Sequence, residues 1–396
     1  MKVLRALRPL LRGLRRLDHG IGRLRSRRRI LIEARIPMNL AVLRPLLHVL
    51  RRDPRLTVWF TGVERDDLRL AFAELGVSNQ VISRRAAARR RIDLYINADP
   101  WEAASLWRVD KRLNFFHGVA GKYDLDCPTH LPLGFDRYDC VAFPNEGRRN
   151  AYVAAGIVSE DRAVLVGYPK ADVLIAESGQ ARPAAAALGL DSSRPTAIFA
   201  PTFSPASALH VAGERIIETL LASGCNVIAK LHDRSMDTDP RYSGGIDWPQ
   251  RLARFNGPRF LFAASGDSTP YVLASDVMVT DHSSIGFEFC ALDRPLIVFD
   301  VPELITSARI NRQKVELLRS AATVVASAPA LEAAVRNALA APDTRSPERR
   351  RAAEEVFYHP GSATARALRL VYDLLQLPPA TDLATSVPRK EAAPAA

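Results

Sequence analysis

From Arg29 onward the chain alternates short apolar runs with segments of helical length. That alternation restricts it to parallel sheets covered by helices. The runs ILIEA and RLTVWFTG flank a predicted helix over Asn39 to Leu50. A helix near Asp66 to Leu75, a short strand near Val81 and a strand over Ile92 to Asn97 follow, and LNFFHGVAGKYD, YDCVAFPN and AVLVGYPKADVL continue the series. The Ala-rich stretch 177–195, punctuated by Gly and Pro, interrupts it as a connecting helix and turn. TAIFAPTF then restarts the pattern, and CNVIAKLH, RFLFAAS, SDVMVTD, PLIVFD and ATVVAS complete a second set. The fold expected is α/β, with doubly wound domains over 30–176 and 196–345 facing a central cleft. Helices over 346–376 cross between the domains, and 377–396, rich in Pro and Ala without an apolar stripe, is expected to be a disordered tail.

Within the second set, the run Ser275 to Asp300 carries the most chemistry. Val277, Met278 and Val279 make a strand that delivers the chain to Asp281 and to Ser283-Ser284, after which Ser284 to Leu292 reads as a short buried helix. The free amides and the positive dipole end of such a helix favour an anion beside the two serines. Glu288 lies one helical turn, about 6 Å, beyond Ser284 on the same face. Two readings stay open here: serine caps with a dipole-satisfying Glu, or serines on a diphosphate with Glu288 on the ribose hydroxyls of a nucleotide.

The net charge of +12 suggests nucleic acid until it is located. Residues 1–29 hold eleven basic residues, Lys2 and ten arginines, against Asp18 alone, which is ten of the twelve net charges and leaves +2 for the rest. In this arm Leu4, Leu7, Leu11, Leu14, Leu17, Ile21 and Leu24 recur at three- and four-residue spacing, with arginines on the other faces. A basic amphipathic helix of this kind is expected to lie on an anionic membrane surface, each basic residue contributing about 1 kcal/mol. Arginine interrupts it too often for a signal-peptide core, and the chain nowhere offers the ~20 apolar residues of a membrane span. The four widely spaced cysteines match neither a zinc pattern nor a disulfide scaffold. No metal, no cofactor and a cytoplasmic, peripheral membrane location are therefore expected.

FFHGVAGK, FAPTF, AKLHD and VTDHSSIGFEFCALDRP, with VGYPKAD and the late GSATAR, together resemble the CDP-glycerol glycerophosphotransferases of the teichoic-acid type. The resemblance runs from about Arg29 to Leu375 and implies a GT-B fold, two Rossmann-like domains around a cleft. It implies a metal-independent transferase that moves glycerol phosphate, or a related polyol phosphate, from a CDP-linked donor to a lipid-linked or glycan acceptor in cell-envelope or capsule polymer synthesis, releasing CMP. His117 matches the family histidine that deprotonates the acceptor hydroxyl, and His232 the one that contacts the donor diphosphate. Asp281, Ser283, Ser284, Glu288, Thr202 and Arg234 fall on the donor side; Gly118 and Lys122 fall on the acceptor side. The chain departs from the family where Asp233 and Arg234 follow His232 in place of proline, and His282 stands where the family commonly has Tyr, so no role passes to His282. Lys230 reads as strand-bound. Arg366 matches a basic residue of the final helix, suited to a salt bridge or to phosphate.

Two other functions fit parts of this pattern. A GT-B glycosyltransferase using a UDP-, GDP- or CMP-sugar would place the same Ser and Glu on its donor. A membrane- or RNA-binding protein with an inactive GT-B body would keep the arm without the chemistry, against which the joint presence of His117, His232, Ser283, Ser284 and Glu288 argues.

Overall fold

The computed structural model describes residues 27–100, 106, 108–119, 134–263, 266–308 and 310–379. Residues 1–26 of the expected arm, Lys122 and the tail from 380 lie outside the described residues.

The first sheet has six parallel strands, β1 (Arg28–Ala34), β2 (Leu56–Gly62), β3 (Ile92–Asn97), β4 (Val109–Asn114), β5 (Cys140–Phe143) and β6 (Ala163–Leu165), in the order β2-β1-β3-β4-β5-β6. Arg28 and Arg29, which the charge count assigned to the arm, belong to β1. The segment near Val81 forms only a single bridge to Phe60 rather than a strand. The second sheet repeats the architecture with β7 (Thr196–Phe199), β8 (Asn226–Ala229), β9 (Phe260–Phe262), β10 (Val277–Thr280), β11 (Leu296–Phe299) and β12 (Thr323–Val325), ordered β12-β11-β10-β7-β8-β9. Every residue of β7, β8, β10 and β11 is buried. Strands covered by helices on both faces lose the polar alternation of one-sided sheets, so they read as unbroken apolar runs.

Each order has a reversal, between β1 and β3 in the first sheet and between β7 and β10 in the second. There the connections leave toward opposite faces, and the loops at the carboxyl ends part to open a crevice. Asn39 and Asp99 follow β1 and β3; Thr202 and the Asp281–Ser284 turn follow β7 and β10. The two crevices face each other.

One short helix holds the halves together. Pro169–Ala176, at the end of the first domain, packs against Pro37–Leu50 of its own domain, against Thr269–Leu273 of the second, and against the final helix Ala363–Leu375. That final helix crosses back: Ala367, Leu368, Val371, Tyr372 and Leu375, at three- and four-residue spacing, enter the core of the first domain. The preceding helix, Ser346–Val356, packs through Ala352, Ala353 and Val356 into a core that joins residues of both domains. At about 1.5–3 kcal/mol per fully buried large aliphatic side chain, this crossing contributes substantially to holding the domains in one arrangement.

Candidate active site

On the first domain's side, β4 ends at Asn114 and the chain runs through Phe115 and Phe116, both buried, to an exposed His117. Its ring is 46% exposed, and Nδ1 lies 2.5 Å from Asp99 Oδ1. Asp99 is in turn held by Asn39, whose Nδ2 donates to Oδ2 at 3.0 Å, while Asn39 Oδ1 accepts from the amides of Arg35 and Ile36. Asn39 thus ties the entry of the Pro37–Leu50 helix to the carboxylate that orients the histidine. An ionised Asp99 can only accept, so the proton of Nδ1 is fixed toward it and Nε2 carries the lone pair outward.

Electrostatics at His117 come from both domains. Desolvation is the largest single influence and would lower its pKa, but the charge and hydrogen bond of Asp99 together outweigh it and hold the imidazole above its ordinary value; Arg148 and Arg234 work against that rise. Arg234 belongs to the second domain, which places that domain's loop within electrostatic reach of the histidine. The His117 loop itself is pinned through its carbonyls: Tyr168 Oη donates to His117 O at 3.0 Å, Arg148 to Gly118 O at 2.7 Å, and Asn145 to Val119 O at 3.1 Å. A Cβ on Gly118 would meet nothing within 4 Å, so open space lies before its backbone.

On the second domain's side, His232 follows β8. Its Nδ1 accepts from the Arg234 amide at 3.1 Å, which places the proton of the neutral ring on Nε2 as a donor. Phe203 packs on the imidazole with ring centroids 4.3 Å apart, and the Arg234 guanidinium lies over both Phe203 and Tyr242. These contacts hold the loop in which the family's proline is replaced. Lys230 is buried at the end of the strand, with Nζ donating to Leu231 O at 2.7 Å, and burial lowers its pKa.

The Asp281–Ser284 turn divides its labour. Asp281 is fully buried, and its carboxylate accepts from the amides of Thr202 (2.9 Å), His282 (2.6 Å) and Ala208 (3.1 Å). It ties the β7 and β10 loops together from beneath, with its oxygens directed at backbone. Ser283 and Ser284 sit above it, half-buried and exposed, and among the described residues neither hydroxyl has a hydrogen-bond partner. Ser284 opens the helix Ile285–Cys290 without capping it through its side chain. That helix stops at Cys290, short of Leu292, because Asp293 takes a positive φ of 52°. Thr202 is 2% exposed, and its hydroxyl is buried with no partner among the described residues. His282, also buried, has both ring nitrogens without a partner among the described residues, and burial lowers its pKa.

Glu288 does not simply point into open cleft. Its Oε2 accepts from Lys170 Nζ at 2.7 Å, and Lys170 also donates to Ser268 Oγ at 2.7 Å. Arg366, read from the sequence as suited to a salt bridge or to phosphate, makes no ion pair among the described residues. Its guanidinium donates to the carbonyls of Val166, Tyr358 and His359 and to Ser362 Oγ, tying the end of the first sheet to the turn before the last helix. Asp239, in the loop after His232, accepts from the Arg241 amide and pairs with its guanidinium. Among the described residues no group of three or more His, Cys, Asp or Glu side chains converges to hold a metal.

Asn39, Asp99, Arg148, Tyr168 and Lys170 went unassigned from the sequence. Asp99 had a signal, an acid at the carboxyl end of a strand ending in Asn97, but nothing in linear order pairs it with a histidine eighteen residues away. Tyr168 and Lys170 lay inside VGYPKAD, visible only as a motif.

Comparison with known proteins follows the same outline. A family model, CDP-Glycerol:Poly(glycerophosphate) glycerophosphotransferase, matches residues 126–372, more than half of the chain. No curated protein matches the chain by sequence. Among solved structures, the wall teichoic acid polymerase TagF aligns at 14% identity over 98% of this chain and 98% of its own, with a TM-score of 0.62. A TagF variant with a histidine replaced by asparagine aligns at 15% identity over 95% and 96%, with a TM-score of 0.64. A putative UDP-N-acetylglucosamine 2-epimerase from Listeria monocytogenes aligns at 11% identity over 89% and 98%, with a TM-score of 0.57. These likenesses give the GT-B-like arrangement of two parallel sheets.

Proposed function

Because the chain belongs to the CDP-glycerol:poly(glycerophosphate) glycerophosphotransferase family, we propose that it transfers a polyol phosphate, glycerol phosphate or a relative, from a CDP-linked donor to a hydroxyl of a lipid-linked or glycan acceptor. The observation that carries this reading is the His117–Asp99 pair, whose Nε2 is left as a base on the acceptor side of the cleft. His117 Nε2 takes the proton of the acceptor hydroxyl as its oxygen bonds to the β-phosphorus of the donor. The bond from that phosphorus to the bridging oxygen breaks, and CMP leaves with the oxygen. Charge rises on the diphosphate as this happens, and in this reading the Nε2–H of His232, with Arg234 beside it, stabilises that charge; the Arg234 amide on Nδ1, which leaves the proton on Nε2, supports it. Ser283, Ser284 and the unpartnered Thr202 hydroxyl offer donors to the same phosphates. Glu288 holds the ribose, and Gly118 borders the acceptor side. The residues named act without a metal in this scheme.

No described helix is long and apolar enough to cross a membrane. In this reading the segment before β1 supplies the attachment: its arginines, in residues 1–27, hold the protein at the inner face of an anionic membrane, where a lipid-linked acceptor is presented.

Substituting His117 tests the base role. His117→Ala is expected to abolish transfer while leaving CMP affinity within about twofold, since imidazole removal takes a group from the acceptor side alone. Surviving turnover would assign the proton to another group.

A further inference from the structure

Three alternate residues of one segment, Tyr168, Lys170 and Asp172, are each buried and each reach a different part of the molecule. Tyr168 Oη donates to the carbonyl of His117, in the base loop. The Asp172 carboxylate accepts from the amides of Gly361, Ala363 and Thr364, capping the crossing helix. Lys170 crosses to the second domain, and its ammonium is fully committed: Glu288 Oε2 at 2.7 Å, Ser268 Oγ at 2.7 Å and Met38 Sδ at 4.0 Å. With three donors on three partners and 1% of its side chain exposed, Lys170 has nothing left for substrate. The glycine before this segment is required where it stands. Gly167 has φ +90°, and a Cβ there would come within 2.6 Å of the Tyr358 carbonyl.

The carboxylate that Lys170 holds is only partly used. Glu288 Oε2 takes Lys170 and lies 3.4 Å from Ser268 Oγ, whereas among the described residues Oε1 has no hydrogen-bond partner. An ion pair in this position fixes the rotamer of the carboxylate and leaves one acceptor oxygen uncommitted among the described residues.

We propose that Lys170 is a positioning residue of the first domain that orients Glu288 of the second for the ribose hydroxyls of the donor, so that nucleotide recognition is built only when the two domains are in register. This rests on the reading of Glu288 as the ribose ligand. Through Tyr168, two residues away, the same segment holds the loop of the base, so donor and base are registered to a single rigid helix start.

The test compares binding of CMP and 2′,3′-dideoxy-CMP to the full chain, by calorimetry, in wild type, Glu288→Ala, Lys170→Met and Ser268→Ala. Wild type is expected to prefer CMP by about tenfold or more, the usual worth of hydrogen bonds to a charged group. Glu288→Ala and Lys170→Met should both lose that preference while keeping wild-type affinity for the dideoxy nucleotide. A lysine that merely supports the fold would instead weaken both nucleotides alike. If Glu288→Ala loses the preference and Lys170→Met retains it, the ribose reading stands and the positioning role is overturned. If Glu288→Ala retains it, the ribose reading fails and the proposal with it. Should Lys170→Met not fold, Ser268→Ala, which removes one anchor of the ammonium, decides: a reduced preference supports the proposal and an unchanged one overturns it.

Discussion

His117 and Asp99 set a balance between orientation and basicity. The short contact between them fixes the tautomer in which Nε2 can accept a proton, and the same carboxylate raises the pKa above the ordinary histidine value. Raised basicity helps the transfer itself but keeps the ring protonated, and therefore idle, to higher pH. Asp99→Asn removes the charge and leaves an amide of similar shape. We expect the acidic limb of the kcat/KM profile to move to lower pH, while the plateau rate falls by at least about tenfold as the tautomer is no longer enforced. A limb that stays in place would mean that a different group titrates in the rate. Stability has the matching sign. Because the folded pKa is raised, the pair's contribution is fully present below the unfolded histidine value and is lost as pH rises through the folded one.

At the scale of elements, the strands were legible because burial on both faces leaves an apolar run, as in β7 TAIF and β11 LIVF. The strand-to-turn passage at Ser283-Ser284 was legible for a related reason, because two serines after an apolar run mark a helix start; phosphate binding there is part of the proposal. What escaped were polar side chains whose partners are distant in sequence: Asn39 with Asp99, and Lys170 with Glu288, 118 residues away. Periodicity reports a residue's own environment and is silent about which strand end it will face. Asp281 shows the opposite limit, since its acid was visible in VTDHSS but its task, gathering three amides beneath the turn, follows from the adjacency of β7 and β10. The N-terminal arm lies outside the described residues, and its proposed role rests on sequence pattern alone, leucines at three- and four-residue spacing among arginines. Deleting residues 1–25 is expected to shift the protein from anionic vesicles to the supernatant in a sedimentation assay, with neutral vesicles binding neither form. Undiminished sedimentation of the truncated chain would place the membrane contact elsewhere or remove it.

At the scale of the whole molecule, the two sheets each open a crevice at the point where strand order reverses, and the crossing helix Ala363–Leu375 returns the chain to the domain where it began. The groups of the proposed site are consequently divided between the halves, His117 and Lys170 in the first, His232, Ser283, Ser284 and Glu288 in the second. Chemistry of this kind needs both halves in register, and the buried ion pair between Lys170 and Glu288 lies at their junction. The central claim is that the bond broken lies between the β-phosphorus and the bridging oxygen of a cytidine diphosphate donor. It is tested by identifying the nucleotide released when the protein is incubated with CDP-glycerol and with UDP-sugars over acceptor-bearing membranes. The account predicts CMP from CDP-glycerol, in proportion to glycerol phosphate incorporated, and none with His117→Ala. Release of CDP from CDP-glycerol, or of UDP from a UDP-sugar with no turnover of CDP-glycerol, would contradict it.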